Sequence, residues 1–160
     1  MFLDLDMKTK IIPFKDKYIN HFRDLNSTWL NEYFHLEAKD KEILENCKKS
    51  IIDKGGHIFF AEYDGQIAGC FAFINLNDTV YELGKMAVAP KFHGLKIGQN
   101  LLQFAIGFAE DQQWEKIILY SSTKLDTALH IYRKLGFKEI PLEKDLPYTR
   151  SDVKMELKLN

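Results

Sequence analysis

The chain has 160 residues, of which 46% are hydrophobic, and its 22 basic and 23 acidic residues give a formal net charge of −1. This balance excludes a global electrostatic field directed at nucleic acid or at a membrane surface. The length and apolar content suit one domain with its own core, so we expect a single domain over residues 1–160, with residues 1–7 as an N-terminal extension.

The N-terminus and the cysteines indicate in which cellular compartment the protein is expected. The first residues, MFLDLDMKTK, place acids within a short apolar run and lack the long apolar stretch of a secretion signal. Cys47 and Cys70 form neither a CxxC pair nor a cluster with paired histidines. Buried free thiols are therefore expected rather than a disulfide or a metal site. We predict a cytoplasmic protein with no metal and no membrane or nucleic-acid partner.

The first half of the chain predicts one strand and two helices. Residues 8–14 form a strand-like run, and Asp16 is placed to cap a helix whose apolar positions recur every three to four residues. A second helix is expected over residues 40–54, ended by Gly55 and its neighbouring glycine.

Three antiparallel strands should follow. Residues 57–63 and 66–75 are apolar runs joined by Asp64-Gly65, a strong signal for a tight hairpin turn. A further turn at residues 77–78 leads into the central strand over residues 80–88.

The second half alternates helix and strand patterns. Its predicted elements are a helix over 97–111, a strand over 115–121, a helix that Asp126 caps and Gly136 ends, and strands over 137–140 and 153–159. The last strand alternates between apolar and polar residues. As an edge strand, it would be able to pair with the same strand of a second copy in a homodimer.

The junction after the central strand has the features of an anion site. The strand stops at Pro90, and a basic loop containing Gly94 leads into the next helix. A helix start presents unpaired N–H groups and partial positive charge, so it attracts phosphate groups. An ordinary strand-to-helix connection is the alternative interpretation.

Two short motifs in this order resemble those of the GNAT superfamily of acetyl-CoA-dependent N-acetyltransferases. The family's loop pattern, Arg/Gln-x-x-Gly-x-Gly/Ala, corresponds here to residues 93–98, and its Tyr-x-x-x-Gly-Phe pattern to residues 132–137. The loop differs in having His93 and Lys96, where the family has Arg or Gln and Gly, and Leu125 occupies a position that is often Asn.

This resemblance implies a mixed α+β fold with a mostly antiparallel central sheet of about seven strands and about four helices. It also implies acetyl-CoA as co-substrate. The residues implied to bind it lie in the central strand and in the loop and first helical turn: Met86, Ala87, Val88, His93, Gly94, Leu95, Lys96, Ile97, Gly98 and Gln99.

Acetyl transfer to an amine requires a general base, because an alkyl amine with a pKa of about 10.4 is mostly protonated at neutral pH. Glu82 is the candidate, since it lies in the central strand and strict alternation would place it on the same face as Met86 and Val88. A solvent-facing residue or a structural ion pair is the alternative role for Glu82.

The resemblance implies Tyr132 as the general acid that protonates the leaving coenzyme A thiolate, although a core tyrosine would follow the same helical pattern. Neither cysteine lies in the central motif, so direct transfer in a ternary complex is expected.

The acceptor is an unidentified amine, of a small molecule or a protein. Its candidate pocket residues are Tyr33, Phe34, Glu37 and Tyr148, with residues 147–150 at the border; for the cluster around Tyr33, a core role is the alternative. A non-catalytic acyl-CoA-binding module of the same fold, and an unrelated phosphate-binding domain, remain as alternative functions.

Overall fold

A seven-stranded sheet forms the centre of the computed structural model, which describes residues 8–159, so the predicted extension at residues 1–7 lies outside the described residues. The strands are β1 (Thr9–Pro13), β2 (His57–Tyr63), β3 (Gln66–Asn75), β4 (Val80–Val88), β5 (Lys116–Ser121), β6 (Lys138–Ile140) and β7 (Val153–Lys158). Their order is β1-β2-β3-β4-β5-β7-β6, and all neighbours are antiparallel except β4 and β5. The predicted mixed, mostly antiparallel sheet is confirmed.

Helices cover both faces of this sheet. They are α1 (Ile19–Tyr33), α2 (Ala38–Glu45), α3 (Cys47–Ser50), α4 (Ile97–Asp111) and α5 (Asp126–Lys134). Apolar residues of α1, α2 and α3 pack on one face, which we call the α1-side core. Residues of α4 and α5 pack on the other, the α4-side core.

Strand β3 shows why the sheet is apolar on both faces. Phe71 and Phe73 belong to the α4-side core, and the alternating Cys70 and Ala72 belong to the α1-side core. Because successive side chains of a strand point to opposite faces, a continuous apolar run fits a strand buried on both sides. Burial of each such Phe side chain contributes roughly 1.5–3 kcal/mol to the free energy of folding.

The predicted helix over residues 40–54 is divided into α2, α3 and a short 3-10 helix at Ile52–Lys54. The break lies at Asn46, whose φ of −124° and ψ of 39° leave the helical region. Its side-chain amide donates to the carbonyl of Glu42. Asparagine competes with the helix in this way because its short amide bonds to nearby backbone.

The predicted side-chain caps differ from the observed helix starts. Asp16 lies inside a 3-10 helix and Asp126 is the first residue of α5, and no side chain caps either helix start. Asp126 still lies in the first turn, where the helix dipole favours a carboxylate.

Gly136 ends α5 as predicted, with a φ of +103°. The Gly136 N–H donates to the Arg133 carbonyl, and the Phe137 N–H donates to the Tyr132 carbonyl at 3.0 Å. The ring centroids of Tyr132 and Phe137 lie 5.8 Å apart. This is a Schellman cap, which needs a left-handed residue that glycine adopts without strain.

The hairpin turn is also confirmed, because Asp64 and Gly65 both have positive φ, as a primed turn requires. The edge position expected for the last strand is wrong, however. Strand β7 lies between β5 and β6 and pairs with both, so β1 and β6 are the outer strands of the sheet.

Cys47 and Cys70 are both free and buried, as predicted. None of the helices found in residues 8–159 combines the length and hydropathy that crossing a lipid bilayer requires.

Candidate active site

The site forms where β4 and β5 separate. These parallel strands pair at only three positions, the last of which joins Glu82 to Ile118. Beyond it β4 stays paired with β3, and β5 pairs with β7. Within residues 8–159, no strand pairs with the β5-facing side of β4 after Glu82, so that side is open to another extended partner.

A β-bulge lies in β4 at this point. Cys70 pairs with Ala87 and Ala72 pairs with Gly84, so Lys85 and Met86 together face the single residue Phe71. Lys85 adopts a φ of +52°, which is uncommon for a residue with a side chain. One extra residue therefore bends the central strand beside the cleft.

Because of the bulge, the prediction that Glu82 shares a face with Met86 and Val88 is wrong. Tyr81 and Leu83 pack in the α4-side core, so Glu82 between them faces the α1 side. Beyond the extra residue, Met86 and Val88 also pack against the α4-side core. Glu82 therefore does not share a face with Met86 and Val88, because the bulge shifts the side-chain period by one residue.

Glu82, Met86 and Val88 nevertheless line one cavity of about 710 Å³, because it follows the opening between the strands. Helix α1, the end of β5, the start of α4, helix α5, and Tyr148, Arg150 and Ser151 also line it. A cavity of this volume is within the range of small-molecule sites.

Most of the predicted site residues line this cavity. They are Glu82, Met86, Ala87, Val88, His93, Gly94, Lys96, Ile97, Gly98, Gln99 and Tyr132, with Tyr33, Phe34 and Tyr148 of the predicted acceptor pocket. Leu95 and Glu37 are not among the lining residues. Leu95 is 38% exposed, and the carboxylate of Glu37 instead accepts from Arg150.

The start of α4 faces the cavity, and no side chain among residues 8–159 caps its backbone. Lys96, the residue before the helix, is left-handed, with a φ of +60° and a ψ of +25°. The residue at this position thus needs the conformation that glycine adopts most easily. The imidazole Nε2 of His93 lies 3.3 Å from the Val88 carbonyl oxygen, next to this helix start.

Glu82 has the electrostatics of a base that works near neutral pH. Burial raises the pKa of Glu82 to about 6, and the carboxylate of Glu143 adds to the shift, while Lys85 and Lys154 oppose it. Above that value the carboxylate is ionised and can accept a proton.

Tyr132 enters the cavity from the last turns of α5, which the Schellman cap fixes. Burial raises the pKa of Tyr132 above its ordinary value. Its hydroxyl therefore stays protonated at neutral pH and is able to donate.

A buried ion-pair network lies at the α1 end of the cavity. The Arg150 guanidinium donates to both oxygens of Asp40 at 2.8 Å, and the Lys85 ammonium donates to Asp40 at 3.1 Å. The side chain of Asp40 is fully buried. Burial alone would raise the pKa of Asp40, but hydrogen bonds from Arg150 and the Glu37 amide, with the Lys85 charge, hold it below its ordinary value.

Tyr148 covers this network. Its hydroxyl accepts from the Lys85 ammonium at 3.1 Å, and its ring centroid lies 4.6 Å from that ammonium and 4.3 Å from the Arg150 guanidinium. Burial raises the pKa of Tyr148, and the nearby Asp40 carboxylate raises it further.

The sequence pattern does not indicate Asp40 or Lys85 as parts of the site. It places Asp40 at a helix start and Lys85 in a strand. No local pattern indicates them, because 45 positions separate the two residues and 110 separate Asp40 from Arg150.

Comparisons with known proteins agree with this geometry. A family model described as "Acetyltransferase (GNAT) family" matches residues 19–137. The "Probable N-acetyltransferase camello" of Xenopus tropicalis is 27% identical over 105 residues, which cover 64% of this chain and 48% of that relative. The chain thus spans about half the length of that relative.

Solved structures share the fold. An acetyltransferase of the GNAT family from Staphylococcus aureus Mu50 superimposes with a TM-score of 0.82 at 25% identity, covering 95% of this chain and 99% of that one. The structure of yncA from Salmonella typhimurium with its cofactor acetyl-CoA gives a TM-score of 0.75 at 14% identity, covering 96% and 95% of the two chains. At that identity, the second likeness concerns the fold alone.

Proposed function

Because the chain belongs to the acetyltransferase (GNAT) family, we propose that it transfers the acetyl group of acetyl-CoA directly to an amine. The observation that supports this most is the cavity between the parting strands β4 and β5, which joins an open strand edge to an uncapped helix start. An extended chain with a phosphate group at one end fits such a site.

The described residues fit acetyl-CoA by their backbone more than by their side chains. The open side of β4 at Met86, Ala87 and Val88 offers N–H and carbonyl groups to an extended amide chain. The first turn of α4 offers N–H groups and partial positive charge to a pyrophosphate. His93 and Lys96 add positive side chains there.

The acetyl thioester is the reactive group that acetyl-CoA supplies when it is bound. Glu82 takes a proton from the acceptor amine, either directly or through water, and so makes the nitrogen nucleophilic. An N–H near Val88 donates to the thioester carbonyl oxygen as negative charge develops on it. Tyr132 holds a proton at its hydroxyl and gives it to the departing thiolate.

The acceptor then occupies the other end of the cavity, which we call the acceptor end. It is lined by Trp29 and Tyr33 of α1, by Phe34 directly after α1, by Lys85 of β4, by Lys124, and by Tyr148 and Arg150. The acceptor class is an amine of a small molecule or of a protein. A single cytoplasmic domain stays a prediction from the sequence. A homodimer stays one too, although not by pairing through β7, which is an inner strand.

Calorimetric titration with acetyl-CoA, with ATP as the control for generic phosphate binding, tests the proposal. We expect acetyl-CoA to bind well above ATP and coenzyme A to be released when amines are added. Binding without release from any amine would favour the non-catalytic acyl-CoA-binding module. Equal binding of ATP and acetyl-CoA would favour an unrelated phosphate-binding domain.

A further inference from the structure

The charges at the acceptor end are arranged with cations toward the cavity and acids behind them. Lys85, Arg150 and Lys124 line the cavity, whereas Asp40 and Glu37, which pair with the first two, do not. Asp40 is fully buried. A bound molecule therefore meets Lys85 and Arg150 before it meets the carboxylates that pair with them.

Arg150 has two N–H groups that donate to no residue of the described chain. The two hydrogens of the Arg150 Nη1 are directed to Glu37 and Asp40, and the Nη2 donates once to Asp40. The Nε–H and the second Nη2–H have no hydrogen-bond acceptor among residues 8–159. A guanidinium that lines a cavity with free donors suits a carboxylate, which accepts two parallel hydrogen bonds.

Lys124 adds a cation that forms no ion pair with a carboxylate of residues 8–159. Its ammonium lies 5.2 Å from the Phe34 ring centroid, and no acidic oxygen of the described chain is within 4.0 Å of it. The Phe34 ring lies in the same cavity wall. An anionic group of a ligand would be the first to pair with this ammonium.

The wall formed by α1 is aromatic. The Trp29 ring centroid lies 5.3 Å from that of Tyr33 and 5.8 Å from that of Phe34. Tyr33 is 42% exposed, although its ring lines the cavity. Such a surface packs against an apolar or aromatic substituent.

We infer that the acceptor is an amine that also has a carboxylate and an apolar substituent, as in an apolar α-amino acid. The inference rests on the proposed acetyl transfer. The cations bind the carboxylate, the aromatic wall packs on the substituent, and Glu82 receives the proton of the amine. The same cations repel a polyamine, because Glu82 and the exposed Asp126 are the only carboxylates that the described residues place in the lining for its positive charges.

A matched set of acceptors tests this inference on the full chain. L-phenylalanine and phenethylamine share the ring and the amine, and only the first has a carboxylate; spermidine represents the polyamines. Coenzyme A release should show a kcat/KM for phenylalanine at least about tenfold above that for phenethylamine, as expected for a charge-assisted hydrogen bond. Spermidine should be the poorest acceptor.

Two variants test whether the cations of the acceptor end cause the preference for an acceptor with a carboxylate. Lys124→Gln should raise the KM for phenylalanine about fivefold and leave that for phenethylamine unchanged, since it removes one charge-assisted contact. Lys134→Gln, an exposed change on α5 outside the cavity lining, should alter neither. Because Lys124 is exposed, neither variant threatens folding.

Several results would overturn the inference. Equal kcat/KM for phenylalanine and either phenethylamine or spermidine would show that the carboxylate is not recognised. Equal KM values for Lys124→Gln and Lys134→Gln would show that the cation of the cavity wall does not bind it. If acetyl-CoA binds but none of the three acceptors is acetylated, the inference about the acceptor is also wrong, whereas binding of the cofactor is still supported. Absence of acetyl-CoA binding overturns the proposed function itself, and the titration with acetyl-CoA alone detects that.

Discussion

Glu82 is the residue whose protonation should set the pH dependence of the rate. Replacing it in Glu82→Gln should lower kcat/KM at neutral pH about a hundredfold, the low end of general-base effects. Because burial raises the pKa of Glu82 to about 6, the wild-type rate should fall as the pH drops through that value. The measurement is coenzyme A release from pH 5 to 8, with Glu110→Gln, an exposed change on α4, as control. A variant with the wild-type pH profile would exclude Glu82 as the base.

Tyr132 should affect turnover rather than binding. Tyr132→Phe removes one hydroxyl and keeps the ring against Phe137, so we expect kcat to fall at least about tenfold. The dissociation constant of acetyl-CoA, measured by calorimetry, should not change. Tyr63→Phe, a change outside the cavity lining, is the matched control. Equal kcat at saturating substrates would remove Tyr132 from the mechanism.

Lys96 stores backbone strain before α4. Left-handed geometry costs a residue with a side chain about 1–2 kcal/mol, and glycine loses part of that gain through its greater freedom in the unfolded chain. Lys96→Gly should therefore raise the free energy of unfolding by about 0.5–1 kcal/mol. Lys96→Ala removes the same ammonium but keeps the strained φ, so it should give no stabilisation. Urea denaturation compares the three proteins, and equal stability of the two variants would contradict the strain.

At the scale of elements, Asp40 holds three segments together: α2, β4 and the segment before β7. Asp40→Asn leaves Lys85 and Arg150 buried with less compensation, so the free energy of unfolding should fall by about 3 kcal/mol. Asp53→Asn, an exposed change, should have little effect.

The deficit of Asp40→Asn should depend on pH. The folded-state pKa of Asp40 lies below its ordinary value, so its contribution is present above about pH 4 and is lost as the pH falls through the folded-state pKa. Denaturation of both proteins between pH 7 and pH 2 measures this. A deficit that stays constant into acid would mean that the ionised carboxylate is not what stabilises the fold.

The sequence predicted elements whose signals are local. Asp64-Gly65 indicates its own turn, and Gly136 indicates the end of α5, because a positive φ at these positions is a property of the residues themselves. The bulge was not predicted, since Lys85 is an ordinary residue within an apolar strand pattern. The network around Asp40 depends on tertiary contacts, and residues far apart in the chain give no periodic signal.

On the scale of the whole molecule, the two thiols report on global unfolding. Cys47 and Cys70 are 1% and 0% exposed, and burial raises the pKa of Cys70 to about 12. Labelling with a thiol reagent in the native state should thus proceed at the rate of unfolding, whereas both thiols should react at once in denaturant. Fast native-state labelling of either cysteine would show that the α1-side core, which holds both of them, opens locally.

The extra residue in β4 also determines how relatives of this chain should be compared. The side chains of residues 80–84 and 86–88 alternate in two separate registers. Odd-numbered Tyr81 and Leu83 therefore face the same side of the sheet as even-numbered Met86 and Val88. Deleting Lys85 would remove the bulge and restore regular alternation, with Met86 and Val88 still on the face of Tyr81 and Leu83. Homologous sequences are therefore best aligned as two ungapped blocks that meet at the bulge, and a gap there marks a change in the active site rather than a harmless variation in strand length.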